Sequence, residues 1–281
     1  GDLAPAPAAL MADCRAALGD SVSPEFLRCQ IEVGTPVSAD IARARDHLAH
    51  LRRTVARIAG DYGLAPISAS CHPFADWRDQ FHTDKDRYHQ LSRALGAVSR
   101  RMLICGMHVH VEVPRPEARV DLMNRLLPTM PLLLALSASS PFWQGQATGM
   151  AAYRLSAFGE MPRTGLPDLF DGPEDYARYV DLMTRAGAIK DASFLWWTLR
   201  PSLRYPTLEL RVADSCTLLE HTIAVAALYR CLVRLHVRRP DLAVPLQHGE
   251  RHGADEADGR NDRRDDDDAD EDDRRDLVDL V

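Results

Sequence analysis

Several absences narrow this chain before its contents are weighed. It has no run of about twenty apolar residues. Its most apolar stretch, "MPLLLALSASSPFW" (130–143), is too short and too interrupted to span a bilayer. No charged-then-apolar leader follows Gly1, so a secretory signal is not expected. Cys14, Cys29, Cys71, Cys105, Cys216 and Cys231 stand singly, without CxxC spacing. Most of them read as buried thiols of a cytoplasmic protein, and a disulfide framework is not expected at this length. No phosphate-binding P-loop, no GxGxxG strand–helix turn and no GxSxG elbow occurs, so any ATP site must be of another design. There is also no internal repeat.

What is present begins with 281 residues, 46% of them hydrophobic, enough to bury a large core. The formal net charge of -7 is unevenly spread. Residues 251–281 hold 14 acidic and 6 basic groups, which leaves residues 1–250 at about +1. The body therefore shows no basic stripe of the nucleic-acid-binding kind, and no nucleic-acid or membrane partner is expected. The run "RNDRRDDDDADEDDRRDLVDLV" is low in complexity and lacks the Gly and ligand spacing of a calcium loop. It reads as a disordered, solvated tail, giving one domain over 1–240 and a tail over 241–281.

Along the body, "PAPAALMADCRAALG" predicts a short helix ending at Gly19, and "FLRCQIEVGTPV" a strand. Ser38 is the expected N-cap of a long helix with Ile41, Leu48, Leu51, Val55 and Ile58 as its apolar stripe. "LAPISAS" is a second strand candidate. Helices are expected over 86–102, over 116–138 with breaks near Pro128 and Pro131, and from Pro173 to Gly187. "FLWWTLRPS" and "PTLELRVAD" read as strands, and "LLEHTIAVAALYRCLVRLHV" as a long helix. The fold class that follows is α+β, with a mostly antiparallel sheet covered by helices on one face.

Three strands share one habit. In "CGMHVHVEVP" (105–114), Met107, Val109, Val111 and Val113 alternate with His108, His110 and Glu112. "RCQIEVG" sets Arg28, Gln30 and Glu32 against Cys29, Ile31 and Val33, and "TLELRVA" sets Glu209 and Arg211 against Leu208, Leu210 and Val212. Side chains alternate across a strand with period two, so the apolar rows face a core and the polar rows share the other side. Carboxylates with an imidazole suit a magnesium or manganese ion, and arginines among them suit a phosphate or carboxylate. The pattern alone equally fits a solvated sheet face laced with cross-strand ion pairs. The loops "CHPFADWRD" and "SSPFWQGQATG" add His72, Asp76, Trp77, Arg78, Ser139, Ser140, Trp143, Gln144 and Thr148 at strand ends, where sites are commonly built.

Five segments in order, "CQIEVGTP", "HPFADW", "CGMHVHV", "ALSASSPFWQGQATG" and "RPSLRYPTLELRVAD", together resemble the carboxylate–amine ligases of the glutamate–cysteine ligase type 2 family. The resemblance runs to about residue 240. It implies a glutamine synthetase/guanido kinase-like fold, in which an antiparallel sheet forms a bowl for ATP and metal ions. It also implies ATP-dependent joining of the glutamate γ-carboxylate to an amine, typically that of cysteine, through a γ-glutamyl phosphate. By motif position, Glu32, His108 and Glu209 look like ligands of Mg2+ or Mn2+, and Arg211 like a catalytic anion-binding group. His110, Arg154 and Arg200 look like substrate or ATP contacts. A homodimer is compatible with this reading.

The chain departs from the family pattern in three places. It begins at Gly1, after the point where a Glu-rich first strand would stand, so slow ligation and an exposed sheet edge are expected. Glu112 replaces the usual Gly, and the sequence beyond about residue 240 is divergent. Two other readings stay open. One is a metal-dependent hydrolase or oxygenase using the His108–x–His110 pair with a carboxylate. The other is a non-catalytic remnant that binds glutamate, nucleotide or another subunit.

Overall fold

A computed structural model describes residues 2–242 and 278–280. The chain opens with α1 (Ala8–Leu18), which ends at Gly19 with a positive φ of 59°. Strands β1 (Val22–Pro24) and β2 (Ile31–Val33) then pair antiparallel, with Val22 opposite Val33. The long helix α2 (Ile41–Asp61) buries Leu48, Leu51, Val55 and Ile58, as its spacing predicts. Its cap is Asp40, whose carboxylate accepts from the Arg43 amide at 2.7 Å. The expected cap, Ser38, instead donates to the Pro36 carbonyl at 3.0 Å and meets His47 Nδ1 at 3.1 Å.

"LAPISAS" forms no strand; beyond it, Cys71 makes an isolated bridge to Ile104. The helix expected over 86–102 is two, α3 (Asp86–Leu95) and α4 (Ala97–Arg100). Gly96, at φ 55°, ends the first, because that conformation cannot continue a right-handed helix. Next come β3 (Val109–Glu112), α5 (Ala118–Leu126) and α6 (Met130–Ser137), with the 3₁₀ turn Leu127–Thr129 between the two helices where Pro128 breaks the run. The hairpin of β4 (Phe142–Trp143) and β5 (Gln146–Ala147) turns on Gln144 and Gly145, both with positive φ. It leads to α7 (Tyr153–Phe158), β6 (Thr164–Gly165) and α8 (Pro173–Arg185).

Strands β7 (Trp196–Trp197), β8 (Leu199–Pro201) and β9 (Thr207–Leu210) precede the last long helix, α9 (Leu219–Arg238). A short strand, β10 (Val278–Leu280), lies far along the sequence. Among the described residues, the largest sheet has the order β10-β3-β9-β8, antiparallel throughout. The expectation of an unstructured tail therefore differs at residues 278–280, which pair with Val109–Val111; residues 243–277 and 281 lie outside the described residues.

Val109, Val111, Leu208 and Leu210, each at most 2% exposed, belong to the main core, in which β3 packs on α9 and β9 on α5. The apolar rows thus face helices, as alternation requires. The β1–β2 pair stands apart from this sheet, so the expected single polar face carrying Glu32 beside Glu209 is divided between two sheets. No described helix is long and apolar enough to cross a membrane, and all six cysteines are free thiols.

Candidate active-site cavity

A cavity of about 510 Å³ opens where β2, α2 and the run leading into β3 meet. Four residues singled out by sequence line it: Glu32 from β2, His108 just before β3, Arg154 from α7, and Arg211 just after β9. The fold brings Glu32 to them through the cavity, although its strand belongs to another sheet. Glu32 Oε2 accepts from Ser23 Oγ at 2.9 Å, across the β1–β2 pair.

The other three candidates form the support behind the cavity. Glu209, on the central strand β9, is 3% exposed and sits at the middle of a charge network. Its Oε2 accepts from Arg200 Nε at 2.8 Å, and its Oε1 accepts from Arg211 Nη1. Burial would push the Glu209 carboxyl up, but Arg211, His108 and Arg200 outweigh it and hold it well below the usual carboxylate range. Arg200 also donates to the Ser193 and Leu195 carbonyls at 2.8 Å each, so its role here is to hold Glu209 and the loop before β7. His110 shares a hydrogen bond with Thr207 Oγ1 at 2.9 Å and lies edge-on to Tyr205. Its Nε2 is 3.9 Å from Glu209 Oε1.

His108 Nδ1 lies 3.4 Å from Arg211 Nη1 and 3.7 Å from Glu209 Oε1. Burial, then Arg211, pushes its pKa well below the ordinary histidine value, so it is neutral near pH 7. The expected open, solvated polar face is thus a buried one at His110 and Glu209.

Arg154 is 3% exposed. Its Nη1 donates to the Val212 carbonyl and its Nη2 to the Arg211 carbonyl, both at 3.3 Å, and Asp214 Oδ1 lies 4.0 Å away. Asp214 is fully buried; its Oδ2 accepts from the Ser139 amide at 3.0 Å and Ser140 Oγ at 2.7 Å. The "SASS" segment is therefore the anchor of Asp214, and Asp214 is a residue the sequence reading passed over. Its signal was the last position of "RVAD", three residues after Arg211. Arg52 was also missed. From α2 it lines the cavity and donates to Ser68 Oγ, the Cys216 carbonyl and Thr222 Oγ1 at 3.1–3.2 Å.

The two candidate loops meet each other outside the cavity lining. Gln144 Nε2 donates to Asp76 Oδ1 at 3.1 Å, and the Gly145 amide donates to the Pro73 carbonyl at 2.8 Å. His72 accepts from the Ala75 amide at 3.0 Å, which is a loop-stabilising bond.

Taken together, the cavity lining holds the guanidiniums of Arg52, Arg154 and Arg211, the neutral imidazole of His108 and the carboxylates of Glu25 and Glu32. Both Arg154 and Arg211 have a buried Nε without a hydrogen-bond partner. Guanidiniums in such a low-dielectric wall can bind anionic oxygen by charge-assisted hydrogen bonds. A divalent cation is a different matter. Among the described residues, no group of three or more His, Cys, Asp or Glu side chains is set to hold a metal ion. Both Glu209 oxygens already accept from guanidiniums, so as arranged these donors do not fit a metal ion.

The sequence pattern of glutamate-cysteine ligase family 2 matches residues 2–278. Among similar curated proteins, one from Paracoccus denitrificans (strain Pd 1222) is 57% identical over 235 residues, covering 84% of this chain and 62% of its own length. One from Jannaschia sp. (strain CCS1) is 56% identical over 237 residues, covering 84% and 63%. One from Ruegeria pomeroyi is 50% identical over 249 residues, covering 89% and 65%. All three carry the name "Putative glutamate--cysteine ligase 2". The chain thus spans a little under two thirds of the length of these relatives.

Proposed function

The chain belongs to glutamate-cysteine ligase family 2, and from that premise we propose that it is the cavity-bearing part of an ATP-dependent carboxylate–amine ligase. The reaction we assign to it joins the glutamate γ-carboxylate to the amine of cysteine or another small amine, releasing ADP and phosphate. Residues 1–240 would act as one catalytic domain, built on a glutamine synthetase/guanido kinase-like sheet.

The observation that carries this reading is the pairing of Arg154 and Arg211 in one buried cavity wall, with neutral His108 beside them. The reaction passes through an acyl phosphate, so negative charge is present on substrate, intermediate and leaving group alike. Two fixed guanidiniums stabilise that charge without reorganising. Arg211 is the group we assign to the transferring phosphoryl or the substrate carboxylate, with Glu209 holding it in place. Arg154 is assigned to a second anionic oxygen. Glu32, which also lines the cavity, is assigned to the cationic end of a substrate.

Magnesium accompanies ATP in phosphoryl transfer and offsets its charge. The side chains of Glu32, His108 and Glu209 are not assembled into a site for that ion, and both Glu209 oxygens are already taken by guanidiniums, so no step is routed through it.

The test is ADP release by the full chain with ATP, glutamate and a panel of amines. Release that requires both glutamate and an amine is expected, together with a loss of about a hundredfold or more in Arg211→Ala. Metal-dependent hydrolysis without ATP would replace this reading with the His108–x–His110 hydrolase. Binding of glutamate or nucleotide with no turnover would leave a non-catalytic module.

A further inference from the structure

Gly106 stands just before β3, in the cavity wall. It is not among the glycines of positive φ, so no left-handed backbone requires a glycine there. The obstacle to a side chain there is the Arg154 guanidinium. A Cβ on residue 106 would lie 2.1 Å from Arg154 Nη2, 2.6 Å from Cζ and 2.9 Å from Nε, all closer than real contacts allow. A glycine in such a position marks a close approach to the backbone.

The guanidinium has little room to yield. It is held by the Val212 and Arg211 carbonyls, and its Cζ is 5.6 Å from the Phe158 ring centroid. Its neighbour across the wall is Arg211, and the Nε of each remains buried without a partner.

We propose that Gly106 is a positioning residue. Its missing side chain lets Arg154 rest against the main chain before β3, where with Arg211 it forms a two-arginine seat for an oxyanion. The ligase reading supplies the identity of that anion as a substrate phosphoryl or carboxylate group; the seat itself is argued from geometry.

The experiment compares the full chain with Gly106→Ala, Arg154→Ala and the double variant. Inorganic phosphate and glutamate, against chloride at matched ionic strength, are the probes for thermal stabilisation, and KM and kcat are read separately in the ADP-release assay. At least one probe should raise the melting temperature of the wild type. A response to phosphate alone assigns the seat to a phosphoryl group, and a response to glutamate alone assigns it to a carboxylate. Gly106→Ala should weaken that probe about tenfold or more, the scale of a lost charged hydrogen bond, and raise KM more than it lowers kcat. It should add nothing in the Arg154→Ala background. If Gly106→Ala does not fold, the double variant should, because it lacks the clash.

The proposal is overturned if neither probe stabilises the wild type, if Gly106→Ala binds both probes normally, if its effect persists without Arg154, or if the double variant is also unfolded. A wild type that binds a probe through Gly106 but releases no ADP would keep the seat and remove the ligase reading. Normal turnover and KM in Gly106→Ala would do the reverse.

Discussion

Glu209 shows how much one side chain can carry. It is a carboxylate in a nearly dry interior, stabilised by Arg200 and Arg211 on its two oxygens, and each arginine side chain is itself only 11–12% exposed. Glu209→Gln keeps the shape and removes the charge. Two buried guanidiniums then lose their counter-ion, a situation that costs about 3 kcal/mol or more. Glu209→Gln should therefore lower the urea midpoint markedly as well as abolish turnover. An unchanged midpoint would mean that the arginines find other partners. At this scale the sequence was informative about which residues come together and less so about how. Alternation placed His108, His110, Glu209 and Arg211 on one side, and they do meet. What it could not show is that this side is buried: Tyr205 lies against His110, and Arg200 closes on Glu209 while tied to the Ser193 and Leu195 carbonyls. Nor could it show what Asp214 and Arg52 hold, since Asp214 meets Ser139 75 residues away and Arg52 meets Thr222 170 residues away in sequence.

Between elements, the seam of α5 and α9 has its own electrostatics. Arg125 of α5 reaches the end of α9, donating to the His236 carbonyl and, at 3.1 Å, to that of Arg239. His236 Nδ1 is 3.3 Å from the same guanidinium. Burial, and then Arg125, lowers the His236 pKa from its ordinary 6.5, with Asp121 opposing. Below pH 6.5 the unfolded chain takes up a proton at this position that the folded seam resists. Stability supplied here is thus complete above 6.5 and is lost as the pH falls towards the folded-state value. Urea unfolding at pH 7 and pH 5 should show a smaller acid loss in His236→Gln than in the wild type; equal losses would mean that the seam opens without cost. The helices themselves were legible because their stripes and stops are local: Gly19, Pro173 and the spacing from Ile41 to Ile58 need no distant partner. "LAPISAS" misled because a strand needs a neighbour to pair with, and periodicity does not name the neighbour. The split of the helix over 86–102 is also legible in hindsight at Gly96.

For the whole molecule, the outer strand of the main sheet is the feature to test. β10 covers Val109–Val111, and it also packs against α2. A chain ending at residue 276 would leave the edge of β3 unpaired, and such an edge recruits other chains. Sedimentation velocity should show concentration-dependent association for that shortened chain and less for the full one; identical monomers would show that the β3 edge is protected by something else. The order of assembly follows from the same sheet. β8 and β9 are neighbours in sequence, whereas His110 and Thr207, which bond across β3 and β9, are 97 positions apart. Closing that loop costs entropy before it gains any contact, so the hairpin and the helices should form early and β3 should dock late. The cavity needs β3 in place, since His108 and Gly106 stand at its start. Its walls should thus be completed late in folding. A molecule that binds there would slow unfolding without hastening folding, because there is nothing to hold until the chain has finished.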